Sequence, residues 1–360
     1  MSKVLIFTDS HVHPHKSSQD RLKDCLNALE WVFKTATEKN VSNILFIGDL
    51  FHERQKIDVL TYQRTFELFE KYICEDLPIH LLLGNHDLWH CDKWDISSVF
   101  PLRTIPGVRV VDRPCTIKIA GHPISFLPYT HDPAGDLAKI ENNSKWKILL
   151  GHVAINGSVL NTMHGTRAEV SIEHDGDMVK VDPDIFIGWN QVFLGHYHAQ
   201  QKMREFPFVE YVGSPLQLSF GEAFQDKHII ILDLETHKKE YIVNDFSPKH
   251  LIIHQRDLHK HDLAGNFVRV MVDDLSKSDV AELSHDIVSG TKLGSLQITQ
   301  VEAPEEDNEN LIVEAKEILA RKSDMLQNYL ELEAKRGNVQ ESEKKKLFEV
   351  GTLICQSVIR

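Results

Sequence analysis

The sequence predicts an α/β fold built on two sheets, and three observations carry that prediction. Short aliphatic runs such as "VLIF" (4–7), "ILFIG" (44–48) and "IHLLLG" (79–84) have the length of strands and the continuous apolar character of strands covered on both faces. Between the first two lies a helical stripe, Leu22, Cys25, Leu26, Leu29, Val32, Phe33 and Ala36, recurring at three- and four-residue steps. A further series of β-rich runs then follows from residue 108 to residue 234.

Taken in order, residues 4–8 and 44–48 are strands, and the helix between them makes a right-handed parallel crossover. A second helix over 61–72 carries Tyr62, Phe66, Phe69 and Ile73 on one face and leads to a strand at 79–83. Shorter strands are expected in "VRVV" (108–111), "TIKI" (116–119), "ISFLP" (124–128), "WKILLGH" (146–152), "QVFLGH" (191–196), "FVEYVGS" (208–214) and "HIIILDL" (228–234). The pattern changes at "NDFSPKH" (244–250). Beyond it "NFVRVMVDDL" (266–275) reads as a strand, "SKSDVAELSHDIV" (276–288) as a helix and "SLQITQVEA" (295–303) as a strand, together a small α+β domain. "PEEDNEN" (304–310) is an acidic linker, and spaced apolar residues from Ile312 to Val358 suggest two amphipathic helices. The predicted boundaries are therefore 1–245, 246–304 and 305–360, with no internal repeat.

The chain has 360 residues, 42% hydrophobic and 26% charged, which is ordinary globular composition and enough for a large core. Cys25, Cys74, Cys91, Cys115 and Cys355 form no C-x-x-C pair, which argues for a reducing compartment and against structural zinc. The apolar run at 4–7 is too short for a signal peptide or a membrane span, so a cytoplasmic protein without membrane contact is expected. A net charge of −13 disfavours a protein that coats nucleic acid unaided. It does not exclude a nuclease, because divalent cations and a basic partner can supply positive field.

Polar clusters recur at the carboxyl ends of the apolar strands: Asp9 and His11 in "FTDSH", Asp49 and His52 in "FIGDLFH", Asn85, His86 and Asp87 in "LLLGNHD", His152 in "LLGH", and His196 and His198 in "FLGHYH". That edge of an α/β sheet is where ligands bind. The inventory is carboxylate, amide and imidazole without thiolate, which suits Mn(II), Fe(II) or Zn(II). Two aspartates, several histidines and an asparagine exceed the needs of one ion. An aspartate can bridge two ions about 3.5–4 Å apart, and such a pair clamps both oxygens of an in-line displacement at phosphorus. Glycines before Asp49, Asn85, His152 and His196 would let the backbone turn tightly there.

One G-H or D-x-H means little in a chain with 21 histidines; five clusters in order, each after an apolar strand, are not chance. In that order, D-x-H, G-D, G-N-H-D, G-H and G-H-x-H resemble the motifs of the calcineurin-like metallophosphoesterases over roughly residues 3–235. Within that superfamily "GDLFH" and "YVGSPLQLSFGE" (211–222) resemble the SbcD nuclease family. Serine/threonine phosphatases carry an aspartate and an arginine after G-D and an N-H-E triplet, where this chain has Phe51, His52 and Asp87. The resemblance implies a four-layer, two-sheet core, a small α+β DNA-capping domain and a C-terminal helical tail. It implies two divalent ions, Mn2+ foremost, with Mg2+ or Fe2+ as alternatives. One ion would take Asp9, His11 and His198, the other Asn85, His152 and His196, with Asp49 bridging. His86 would be the general acid beside the phosphate and His52 would face the same phosphate.

The resemblance further implies a DNA exonuclease or endonuclease acting at DNA ends in repair, recombination or replication. It would be a homodimer paired with an SbcC-type coiled-coil ATPase bound through the C-terminal helices. The helix at 61–72 and "WHCDKWDISSVF" (89–100) are candidates for the dimer surface. A stand-alone phosphodiesterase acting on a small molecule or nucleotide is the alternative, and a lapsed, non-catalytic module is disfavoured by the complete ligand set. Asp87 is expected to stabilise its turn, because adjacent residues at a strand end point opposite ways. His13, His15, His90, His164 and His174 are expected to be exposed, although His13 or His15 could contact substrate. His228, His237, His250, His254, His259 and His261 are expected at the surface or with polar partners, and Ser214, Pro215 and Phe220 in shaping the loop exit.

Overall fold

The computed structural model describes residues 2–15, 18–90, 93–156, 158 and 180–300. Apart from residues 272–276, the chain to Thr299 belongs to one compact unit, the subject of the description below. The expected tail helices and acidic linker, together with His164 and His174, lie outside the described residues.

In chain order the elements are β1 (Lys3–Phe7), α1 (Gln19–Glu38), β2 (Asn43–Phe46), α2 (Val59–Tyr72), β3 (Ile79–Leu82), β4 (Val108–Val111), β5 (Cys115–Ile119) and β6 (His122–Leu127). There follow α3 (Pro133–Ala138), β7 (Ile148–His152), β8 (Ala154–Ile155), β9 (Lys180–Val181), β10 (Gln191–Gly195), β11 (Gln201–Lys202) and β12 (Val209–Tyr211). The last are β13 (His228–Asp233), β14 (Lys239–Val243), β15 (His250–His254), β16 (Phe267–Val272), α4 (Lys277–Gly290) and β17 (Ser295–Gln300). Two six-stranded sheets result, ordered β14-β13-β1-β2-β3-β4 and β11-β12-β10-β7-β6-β5. In the first, β1 to β4 run parallel; in the second, β6, β7, β10 and β12 do.

The continuous apolar runs are explained by period-two alternation with both faces buried. On β1, Leu5 and Phe7 pack under the helices, while Val4 and Ile6 enter the layer between the sheets. On the second sheet, Phe193 faces that same layer, and Val192 and Leu194 face a third cluster with Leu137 of α3. Helices, sheet, sheet, then helix and loops make four layers, as expected.

The helices start where side chains satisfy their first N–H groups. The Arg21 amide donates to Ser18 Oγ at 3.2 Å, and the Thr61 amide to Asp58 Oδ1 at 2.9 Å. α1 then buries Leu22, Cys25, Leu29, Val32, Phe33 and Ala36 as its stripe predicts. Several short elements carried no legible pattern, including β8, β9, β11, α3 and the edge strand β14. β15 was also unforeseen; it pairs parallel with β16, and β17 lies on the other side of β16.

Two histidines depart from expectation. The ring of His250 is buried between Phe220 and Phe267, with centroids 4.9 and 4.8 Å away, and His228 is buried against Tyr241. Nδ1 of His250 and Nε2 of His228 have no hydrogen-bond partner among the described residues, so both are aromatic packing residues rather than surface ones. His80 plays a similar part in the layer between the sheets, its ring lying 6.0 Å from Phe126 at 23°. Burial, helped by the charge of Arg109, holds its pKa down at about 4.

An unfolded histidine titrates near 6.5, so between about pH 6.5 and 4 the unfolded chain binds a proton that the folded chain refuses. Stability from this residue is full above pH 6.5 and falls on acidification, with a slope approaching about 1.4 kcal/mol per pH unit. Urea melts at pH 7.5 and 5.0 should show a smaller acid loss for His80→Leu than for the unsubstituted chain.

Candidate metal centre

The parallel strands of both sheets end on one side, and their exits deliver the polar clusters to a common crevice. The loops after β1 and β2 are laced together: the amide of Asp9 donates to Gly48 O at 2.9 Å and that of His11 to Asp49 O at 3.1 Å. Four of the eight non-glycine residues with positive φ among the described residues lie here: Asp9, His11, Asp49 and His196. Such backbone is costly and persists only where the surroundings impose it.

Asp9, His11, Asp49, His52, Asn85, His86, His152, His196 and His198 are all brought together. Nε2 of His11 lies 3.0 Å from Nε2 of His198, 3.8 Å from Asp9 and 3.6 Å from Asp49. Asn85 Oδ1 lies 3.0 Å from both His152 Nε2 and His196 Nδ1, and His152 Nε2 is 3.3 Å from Asp49 Oδ2. The ring of His86 is 4.7 Å from that of His11, and His52 is 5.4 Å from His11. Three subsets have ligand atoms within 4.8 Å of one another: Asp9, His11 and His198; Asp9, Asp49 and His152; His11, His52 and His86.

Hydrogen bonds fix which ring nitrogens face the crevice. A carbonyl can only accept, so His152 Nδ1 donates to Ile47 O at 2.7 Å and His86 Nδ1 donates to His52 O at 2.5 Å. His198 Nδ1 donates to the Glu222 carboxylate at 3.2 Å. His152 and His198 thereby turn Nε2 lone pairs inward, with the outer nitrogen held as metal-binding histidines hold it. The donor set fits divalent cations: lone pairs converge, and two carboxylates lie nearly without exposure. Burial pushes the Asp9 carboxyl up. It opposes charge on Asp49 too, but His152 and His86 outweigh it and hold Asp49 well below the usual range. Burial also disfavours charge on His152, yet Asp49 raises its pKa to about 9, so a bound cation would take the place of the proton on Nε2 beside that carboxylate.

Asp87 turns away from the ligands. Its carboxylate accepts the amides of Asp49 at 2.8 Å, Leu50 at 2.9 Å and Gly84 at 2.9 Å, tying the β2 and β3 exits together. Gly84 needs a different explanation from the one its spacing suggested. Gly48 does adopt φ +99°, but Gly84 does not have positive φ; a Cβ there would strike the Asp49 carboxylate and His152. Space, not turning, requires glycine at 84.

His13 and His15 are half-buried rather than exposed, with rings 5.1 Å from His52, whereas His90 is exposed. Two residues of the site went unassigned by sequence reasoning. Glu222 is fully buried, bonded to His198, to Ser214 Oγ at 3.1 Å and to Lys227 Nζ at 2.6 Å. Burial alone would raise its pKa; Lys227 and His198 hold it far below the usual carboxylate range. The acid at the end of "GSPLQLSFGE" was its only signal. Tyr129, at the exit of β6, lays its ring nearly parallel to His196 with centroids 6.3 Å apart. It followed Pro128, where the expected strand stopped.

A crevice lined by imidazoles, carboxylates and an amide suits a metal-dependent phosphoesterase, and the sequence comparisons agree: the profile of the calcineurin-like phosphoesterases matches residues 2–213, and the chain belongs to that family. It is therefore a metal-dependent hydrolase of phosphate esters. Among curated relatives, exonuclease subunit 1 of Enterobacteria phage T4 is 23% identical over 261 residues, covering 70% of this chain and 71% of that one. The SbcD component of nuclease SbcCD from Staphylococcus epidermidis is 27% identical over 266 residues, covering 66% and 67%, and its counterpart from Escherichia coli K12 is 24% identical over 285, covering 67% of each. Among the described residues no helix is long and apolar enough to cross a membrane.

Replacing Glu222 with Gln keeps the volume but removes the charge that orients His198. Titration calorimetry should find Mn2+ affinity about 10- to 100-fold weaker, and the melting temperature should fall as well, because Lys227 is left buried without its carboxylate.

Proposed function

We propose that the chain is a DNA nuclease subunit that hydrolyses phosphodiester bonds at DNA ends, as an exonuclease, an endonuclease or both. The observation that carries this reading is His52 in the place where phosphatases keep an aspartate for their catalytic histidine. Here the His52 main-chain carbonyl accepts a hydrogen bond from His86 Nδ1 instead, and the His52 ring lies 5.4 Å from that of His11. Two imidazoles, His52 and His86, then serve the same phosphate, an arrangement suited to a diester whose leaving group is an alkoxide needing a proton. The relatives named as nuclease and exonuclease components support the same substrate.

Asp9, His11 and His198 would hold one divalent ion, Asn85, His152 and His196 a second, with Asp49 between them. Mn2+ is the first choice, ahead of Mg2+ or Fe2+. When bound, such ions supply Lewis-acid stabilisation of phosphoryl charge and acidify water. The chain's own contribution is positional. Asp49 accepts the His86 amide at 2.8 Å through Oδ1, so the bridging carboxylate and the proton donor are set by one contact. His86, fixed through Nδ1, delivers a proton from its other nitrogen to the leaving oxygen.

In this reading residues 246–304 cap the DNA, and residues 305–360 join an SbcC-type coiled-coil ATPase in a homodimeric assembly. Exposed Val59, Leu60, Trp89 and Ile96, at the start of α2 and the segment beside it, support the dimer surface. A stand-alone phosphodiesterase of small molecules or nucleotides is the second reading, favoured only by the net acidity.

With Mn2+, and with the partner ATPase added, the protein should degrade linear duplex DNA. His86→Ala should lower kcat about 10²- to 10⁴-fold while leaving Mn2+ binding intact, and Asp49→Asn should abolish turnover and weaken Mn2+ binding together. Cleavage of bis(p-nitrophenyl) phosphate with DNA left whole, even beside the ATPase, would sink the nuclease reading.

A further inference from the structure

We propose that His13 is a phosphate-binding residue, donating a hydrogen bond from Nε2 to the phosphodiester next to the one cut at the metal centre. The proposal rests on the nuclease reading and adds to it a second hold on the strand, one that an isolated diester cannot use.

The stretch "HVHPH" (11–15) carries three imidazoles at two-residue steps, and the metal centre accounts for His11 alone. Beyond the sheet the exits of β1 and β2 pair once more, through a parallel bridge between Val12 and Phe51. Both of those side chains enter the core under the helices. Alternation puts the next residues, His13 and His52, on the opposite side, where their rings meet at 5.1 Å. The His52 ring in turn lies 5.4 Å from that of His11, so His13 stands two ring contacts from a metal ligand. His15 packs against both, 5.0 Å from His13 and 5.1 Å from His52.

One hydrogen bond decides what His13 can hold. The amide of His15 donates to His13 Nδ1 at 2.9 Å, which makes that nitrogen the acceptor and leaves the ring proton on Nε2. A metal ion at Nε2 would require the proton on Nδ1, where the His15 amide already points. Nε2 is therefore a donor in want of an acceptor. Glu53 Oε1 lies 3.7 Å from it, too far for a hydrogen bond. Nor is this a packing histidine like His228 or His250, for its side chain is 24% exposed and its ring neighbours are all imidazoles.

A phosphate oxygen suits this donor better than a base edge does. Phosphates recur at every step of a strand, and contacts to them position it without reading sequence. An anionic oxygen is already accommodated near Nε2, since Glu53 brings its carboxylate there on a side chain 51% exposed and able to swing aside for DNA. Charges along 53–58 cancel, Glu53 and Asp58 against Arg54 and Lys56, so the segment that carries His52 adds no net repulsion.

The test uses the full chain with Mn2+ on a short oligonucleotide, scored on the first bond cut. His13→Ala should raise KM about tenfold with kcat little changed, and His13→Gln, which returns an N–H donor, should recover most of the loss. An uncharged methylphosphonate at the neighbouring linkage should bring the unsubstituted protein to the His13→Ala value and cost His13→Ala less than about twofold more. Glu53→Gln, which removes the competing carboxylate, should lower KM. Unchanged KM in His13→Ala, or full additivity of the two losses, overturns the phosphate contact while the nuclease reading stands. So does titration calorimetry in which His13→Ala removes a bound equivalent of Mn2+, because the cluster is then a metal site. If the unsubstituted protein cleaves bis(p-nitrophenyl) phosphate but no oligonucleotide, even beside the ATPase, the nuclease reading fails and this contact fails with it.

Discussion

Two carboxylates buried side by side, Asp9 and Asp49, set the terms for the rest of the molecule. Like charges out of water repel, and neither can be neutralised by solvent. The fold answers with imidazoles on every side: His11 and His152 within 4 Å of Asp49, and His198 against His11. It also answers with backbone N–H groups, since the His196 amide reaches both oxygens of Asp9 at 3.1 Å. What remains is a cavity wall of lone pairs, which is why the crevice suits cations and why its ligands must come from far-apart parts of the chain.

The parallel strands of two packed mixed sheets make that convergence possible. Parallel neighbours end on the same side, so each added strand brings another loop to the crevice. The core has the complementary task of holding two sheets in register so that β1, β2 and β3 face β7 and β10. Val4, Ile6, Leu45 and Ile47 do this from one sheet, and Ile148, Leu150 and Phe193 from the other. The centre is therefore as rigid as the layer beneath it, and strained residues such as Asp49 and His196 can be kept in place.

Much of this was legible in the sequence because the strands of a doubly covered sheet are unbroken apolar runs, and a polar cluster directly after one stands out. The two-sheet core, the main strands of both sheets and the gathering of Asp9, His11, Asp49, Asn85, His86, His152, His196 and His198 followed from that contrast, and the four-layer arrangement from the family resemblance. Elements without contrast were missed: β8, β9 and β11 have two residues each, and β14 lies at an edge with half-exposed sides. Glu222 was missed because nothing local marks a carboxylate that acts through another residue's ring. His228 and His250 were misjudged because a histidine packed between aromatics looks, in sequence, like one on the surface.

The clasp made by Asp87 couples the two loops that carry Asp49 and Asn85. One carboxylate grips three amides from two loops, so the exits of β2 and β3 move as a single piece. Asp49 and Asn85, one on each loop, are thereby tied to a common anchor, and a substitution that loosens either loop disturbs the donors of both.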